Sequence, residues 1–163
     1  MTIREAKNTD INQIVDLYHE LFVEMSVLQP QSFAPGQQNR MYVRNMIQSR
    51  DTALFVSCDD GGYIRGFALV EESETPDYNA LIKRRYAYLM DIVVAREHRN
   101  AGIGSQLIGH VRDWAIDRGL EYLELNVLSQ NKLAITLYER MGFAGAKQVM
   151  QCPLPNSKKQ SKY

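Results

Sequence analysis

A mixed α/β single domain is the fold class this sequence predicts. Two observations carry it. Apolar residues switch between helical and strand periodicity several times along the 163 residues. The early strands are joined by hairpin chemistry, whereas the later ones alternate with helices. The chain is 45% hydrophobic and 23% charged, the balance of an ordinary globular domain, and its length is that of one domain able to bury a sizeable core.

The elements follow in order. Thr2 to Ala6 is a short strand, and Asn8-Thr9-Asp10 supplies side-chain oxygens and an acidic group suited to a helix N-terminus. Ile11, Ile14, Val15, Tyr18, Phe22 and Met25 then form one apolar stripe at helical spacing. Pro30 and Pro35-Gly36 interrupt it, and a second helix is expected over 37–48. Thr52 to Cys58 and Tyr63 to Glu71 read as strands, joined by Asp59-Asp60-Gly61-Gly62, whose glycines tolerate positive φ. Ser73 to Arg85 is a polar loop, and Tyr88 to Val94 is an apolar strand covered on both faces. A helix over 104–118 stops at Gly119. Glu121 to Leu128 alternates as a strand, and 131–141 is a helix stopped by Gly142. Gln148 to Pro153 is expected to form a last strand. The domain spans 1–154, and 155–163 is expected to be a flexible tail.

Several function classes lose support at once. Nineteen basic side chains face nineteen acidic ones, so the net charge is zero, and the field on which nucleic-acid binders rely is missing. The cluster Lys83-Arg84-Arg85 has no aromatic interleaving. No apolar run reaches the roughly 18 residues of a membrane span, and the opening residues MTIREAKNTD lack a signal-peptide layout. Two cysteines, Cys58 and Cys152, are too few for a disulfide framework, and His19, His98 and His110 show no metal-ligand spacing. A cytoplasmic protein with a small-molecule site and no metal is the expectation, with neither nucleic acid nor membrane as partner.

The most informative stretch is Tyr88 to Ser105, YLMDIVVAREHRNAGIGS. A buried strand runs into a loop that opens a helix at glycines. Free amides at a helix N-terminus form an anion site; Gly102 and Gly104 let a phosphate approach the backbone, and Arg99 adds a positive charge. A tight connection that needs glycine only for its dihedrals is the competing reading. The loop lacks the Gly-Lys-Ser or Gly-Lys-Thr ending of a P-loop, and Leu107 stands where a Rossmann fingerprint requires its third glycine.

Arg99-Asn-Ala-Gly102-Ile-Gly104 resembles the R/Q-x-x-G-x-G/A signature of the GNAT superfamily of N-acetyltransferases. Asn131 to Phe143 is similar to the second signature, N-x-x-A-x-x-L-Y-x-x-x-G-F. The element order agrees from about residue 2 to residue 154, with Asn100 where glycine is common and Ala95-Arg96 in place of a proline-containing segment. The resemblance implies a GNAT-type fold, with a mixed central sheet, splayed central strands and flanking helices. It implies acetyl-CoA as co-substrate and an amine as acceptor, and since family members are frequently dimers, a homodimer is among the options. It places the pantetheine arm along the backbone of Ile92 and Val94. It places the pyrophosphate on the amides of Arg99, Asn100, Ala101, Gly102, Ile103, Gly104 and Ser105, and the cofactor arm within reach of Asn131.

Acetyl transfer needs a base, because a free alkylamine is largely protonated at neutral pH. Asp91 is the only charged residue between Leu89 and Val94, and desolvation there raises its pKa toward a useful range. Glu71, Glu72 or a water chain are the alternatives, and a buried Asp satisfied at a strand bend is the bland reading. Tyr138 lies seven residues after Asn131, about two helical turns, so both address one ligand. Its phenol is a suitable donor to a departing thiolate, although tyrosine at helical spacing usually completes a core. Cys58 has no paired base in the sequence and reads as a small core residue. Acceptor choice is expected from two proline-containing connections, 26–38 and 73–85, with Phe33 and Tyr78 as apolar contacts and Glu72 and Asp77 attracting a cationic amine. A CoA-binding sensor without turnover is the rival reading.

Overall fold

A computed structural model describes residues 1–155, so nearly all of the expected tail over 155–163 lies outside the described residues. Five strands form one sheet in the order β1 (Thr2–Glu5), β2 (Thr52–Cys58), β3 (Ile64–Glu74), β4 (Arg85–Val94) and β5 (Leu123–Leu125). The first three pairings are antiparallel and the last is parallel. Helices α1 (Ile11–Leu28) and α2 (Arg40–Gln48) cover one face, and α3 (Ile103–Asp117) and α4 (Lys132–Arg140) cover the other.

Alternation along the strands builds two cores. Leu54, Val56, Phe67, Leu69 and Val93 meet Ile14, Val15 and Tyr18 of α1. Ala53, Phe55, Ala68, Val70 and Leu89 meet Leu107, Ile108 and Val111 of α3. The stripe read from the sequence is therefore the buried face of α1. Its entry is fixed by Asp10, whose carboxylate accepts from the Lys7 amide at 2.7 Å and pairs with Arg4 through both oxygens, at 2.6 and 3.0 Å. Helix α2 begins at Arg40 rather than Gln37 because Asn39 is its cap, its Oδ1 accepting from the Met41 amide at 2.7 Å.

Three boundaries depart from the periodicity. The β3–β4 hairpin runs on to the pair Glu74 and Arg85, where Thr75 bonds Arg84 through its amide and its hydroxyl. Strand β5 is short because β4 pairs with it only from Ala87 to Leu89. The strand expected over Gln148 to Pro153 is not formed: residues 144–155 have no regular structure and are all exposed, so their apolar side chains have no face to alternate against. Gly66 of β3 fixes how closely α3 lies on the sheet, since a Cβ there would fall 2.7 Å from the Val93 carbonyl oxygen and 3.4 Å from Ile103 and Leu107.

Candidate active site

The loop between β4 and α3 consists of a 3-10 turn, Arg96–His98, followed by Arg99 to Gly102. Two residues take the left-handed region, Asn100 with φ 62° and Gly102 with φ 80°. Asparagine is among the few side chains that tolerate this conformation, which accounts for Asn100 where glycine is common. The loop thereby delivers α3 with the amides of Gly102, Ile103, Gly104 and Ser105 free of any acceptor among the described residues. The space beside Gly102 is open: the atom nearest to a Cβ added there would be Gln106 Nε2, at 3.8 Å. Gly104 has a different reason: a Cβ there would stand 3.1 Å from Leu137 Cδ2, so this glycine sets the approach of α3 to α4.

Arg99 is held by neighbours within the chain. Its Nε donates to the Val94 carbonyl at 2.9 Å, its guanidinium pairs with Glu24 of α1 at 2.8 Å, and its amide bonds the Arg96 carbonyl at 3.5 Å. Its charge is shared with Glu24, and its amide contact is long. Arg99 braces the loop against α1, and Arg96 reaches the same carboxylate at 3.6 Å.

A β-bulge organises the other half. Leu69 opposes Asp91 and Val70 opposes Leu89, which leaves Met90 as the extra residue. Leu89 and Ile92 face α3, while Met90 packs into the α1 core and Asp91 meets Tyr18 of α1. Beyond the bulge β4 has no partner on the β5 side. Ala87 bonds Tyr122 across that edge, and the one-residue shift turns the peptide groups of Ile92 and Val94 toward it. Arg99 takes the Val94 carbonyl, and the other groups of this pair face the opening.

Asp91 and Tyr138 lie on opposite faces of the sheet. Burial raises the Asp91 carboxyl above its ordinary range, outweighing the Tyr18 hydroxyl that donates to Oδ2 at 2.7 Å. Tyr42 of α2 and Tyr88 of β4 lie near the same carboxylate, with Glu71 of β3 near both phenols. Burial raises both phenols, and the charges of Asp91 and Glu71 add to the effect. Asn126 donates to the Tyr88 hydroxyl at 2.8 Å. Tyr138 is buried among the α3-side residues, edge-on to Phe143 at 5.8 Å. Burial, and then the Asp91 charge, push its phenol up to about 12. Its hydroxyl has no hydrogen-bond partner, yet no fully buried side-chain polar atom among the described residues is left unpaired, so this oxygen is not sealed from solvent. Asn131 caps α4, its Oδ1 accepting from the Ala134 amide at 3.2 Å, which leaves its amino group free to donate.

The expected acceptor residues lie in different surroundings. Glu72 faces α3, not Asp91, and is held between Arg85 and Arg118, so it is not free to attract an amine. Its neighbour Glu71 has that orientation because strand residues alternate. Asp77 and Tyr78 are exposed in the loop beyond Arg85, and Asp91 lies six residues further along β4. Phe33 is half-buried in the α1–α2 connection. Tyr18 and Tyr42 were legible only as helix-face residues; the signal in Tyr18 is a hydroxyl within an apolar stripe, which must find a partner when buried. Among the described residues no helix is long and apolar enough to cross a membrane.

A model of the acetyltransferase (GNAT) family matches residues 13–143. Streptothricin acetyltransferase of Streptomyces lavendulae is 39% identical over 97 residues, covering 60% of this chain and 47% of that protein. An uncharacterised N-acetyltransferase of Bacillus subtilis, YhfO, is 26% identical over 146 residues, covering 88% and 89%. The matched stretch spans less than half of the first curated relatives, 47%, 24% and 35% of their lengths. A mutant of the BH1408 protein from Bacillus halodurans superposes with a TM-score of 0.90 at 23% identity, covering 95% of this chain and 100% of that one. Aminoglycoside N-acetyltransferase AAC(6')-Iy in complex with CoA gives 0.73 at 19%, covering 95% and 100%. At these identities the two structures speak for the fold. The family match runs from α1 through α4 and takes in the loop, the bulged strand and the capped last helix: this chain belongs to the acetyltransferase (GNAT) family.

Proposed function

We propose that the protein transfers an acetyl group from acetyl-CoA to an amine by direct attack within a ternary complex. The observation that carries this reading is the gap between β4 and β5. A raised carboxyl and a protonated phenol flank it, and free helix-terminal amides lie at its end. The residues fit the co-substrate: the amides from Gly102 to Ser105 hold its pyrophosphate, the open edge at Ile92 and Val94 pairs with its amide-bearing arm, and Asn131 donates to that arm. Acetyl-CoA supplies an activated thioester.

Asp91, directly or through water, takes a proton from the ammonium form of the acceptor. The freed nitrogen pair forms the new N–C bond as the C–S bond breaks. Tyr138 gives its proton to the departing sulfur, and the excess proton on nitrogen leaves to solvent. Asp91 and Glu71 share one face with three phenols, an acidic and aromatic surrounding suited to a cationic amine. Relatives named for streptothricin and thialysine support a small-molecule acceptor.

The test is release of free CoA thiol with a panel of amines, followed by mass spectrometry of the product. An acetylated amine is the expected result. Tight acetyl-CoA binding without thiol release on any amine would instead make the chain a CoA-binding sensor.

A further inference from the structure

We propose that Glu24 of α1 holds Arg99 in reserve and yields it to the pyrophosphate of the donor, while Arg96 takes its place on the carboxylate. This exchange rests on acetyl-CoA lying along the β4–α3 loop, and it adds a residue of α1 that sets how tightly the donor is held. Two observations carry it. The first is where Arg99 is committed. It stands three residues ahead of Gly102, where the free amides begin, yet its Nε donates to the Val94 carbonyl at 2.9 Å and its guanidinium lies 2.8 Å from Glu24 Oε1. The Val94 carbonyl belongs to the strand edge that the donor's arm would use, and Glu24 is an anion beside the place for another anion.

The second observation is that Glu24 has two cations within reach and hydrogen-bonds only one. Arg96 Nη2 lies 3.6 Å from the same Oε1, within ion-pair reach but outside hydrogen-bond reach. The Arg96 side chain is 76% exposed, against 32% for Arg99 and 26% for Glu24. Its backbone is already tethered to the same helix, since its amide donates to Glu20 at 3.4 Å, one turn before Glu24. Among the described residues no other carboxylate forms an ion pair with a side chain of this loop.

An arriving pyrophosphate and Glu24 therefore compete for one guanidinium. Releasing Arg99 alone would strand a sheltered carboxylate, which is the costly part of breaking such a pair. Arg96 removes that cost by closing from 3.6 Å to hydrogen-bond distance. A purely structural brace makes a different forecast. Glutamine keeps an oxygen that accepts from a guanidinium, so it keeps the brace, but it removes the competing charge.

Calorimetry with acetyl-CoA on Glu24→Gln tests the exchange, with circular dichroism to verify the fold. Acetyl-CoA should bind about three- to tenfold more tightly than to the wild-type chain, because one competing charge at a part-exposed pair is gone. Pantetheine, which carries the arm without the pyrophosphate, should bind both chains alike. Arg96→Ala should weaken acetyl-CoA binding about two- to fivefold in the wild-type chain and leave it unchanged in Glu24→Gln, where no carboxylate waits to be taken over. Unchanged or weaker acetyl-CoA binding in Glu24→Gln, an equal gain for pantetheine, or the same Arg96→Ala loss in both backgrounds would each overturn the proposal and leave the acetyl-transfer reading standing. A wild-type chain that binds no acetyl-CoA would overturn both.

Discussion

Tyr18→Phe isolates the one hydrogen bond that Asp91 receives from a side chain. The ring is 1% exposed and packs on Phe67 and Phe22 at centroid distances of 4.7 and 5.6 Å, contacts that phenylalanine keeps. What is lost is the donor to Asp91 at 2.7 Å and the hydroxyl's contact with Tyr42. That donor favours the charged carboxylate and so lowers a pKa that burial has raised. Its removal therefore drives the pKa further up. A hydrogen bond to a charged group contributes about 1.5–3 kcal/mol, and about 1.36 kcal/mol corresponds to one unit. The acidic limb of kcat/KM should thus move up by about one to two pH units. The assay is thiol release against pH at saturating acetyl-CoA, with circular dichroism to verify the fold. Tyr88 and Tyr138 are unchanged, but Tyr42 loses its hydrogen bond to the Tyr18 hydroxyl, so Tyr42→Phe is measured beside it to separate the two. A limb that stays in place or moves down would show that Asp91 is not the group titrating, and the base would have to be sought elsewhere, with Glu71 first.

Tyr138→Phe should lower kcat by about 100- to 10,000-fold and leave acetyl-CoA affinity by calorimetry unchanged; a wild-type rate returns Tyr138 to packing. Gly102→Val should weaken acetyl-CoA binding by calorimetry, since φ 80° strains any L side chain by about 1–2 kcal/mol and the added group stands beside the free amides. Gly104→Val should instead lower the melting temperature, because overpacking against Leu137 at 3.1 Å costs about 1–3 kcal/mol. For Asp10, burial acts upward, but the Arg4 and Lys7 hydrogen bonds prevail and hold its carboxyl below the ordinary range. Its stabilisation is then present above the unfolded-state value and lost as pH falls through the lowered folded one, so Asp10→Asn should flatten the acid side of a stability-against-pH curve.

The elements that bury a regular stripe were legible in the sequence. Helix α1 shows its face in Ile11, Ile14, Val15 and Tyr18, and β2 and β3 show theirs in continuous apolar runs around a four-residue turn. The loop glycines were legible as a pair, but their separate reasons were not: Gly102 serves a dihedral, whereas Gly104 and Gly66 serve contacts with residues far off in sequence. Pairings that depend on tertiary approach were equally hidden. Glu72 reads as an available carboxylate until Arg118 arrives from the end of α3, and Arg99 reads as a phosphate cation until Glu24 arrives from α1. Strand β5 looked longer because alternation records which residues suit a pleat, not where a neighbouring strand turns away.

Both halves of the candidate site trace to one inserted residue. A strand without a bulge would carry the side-chain alternation straight through Leu89, and Asp91 would follow it to the α3 face. Met90 breaks that count, so Asp91 turns to Tyr18 and α1 while Ile92 rejoins the α3 core. The same insertion shifts the peptide groups of Ile92 and Val94 onto the edge facing β5, and a bulge increases local twist, which carries β4 away from its parallel neighbour. The opening that exposes the edge and the carboxylate that faces the opening are therefore a single structural event. Tyr138 reaches the gap from the other face because α4 is drawn against α3 at Gly104, where no side chain intervenes. The loop glycine and the strand bulge together set which residues stand on either face of the sheet beside the gap.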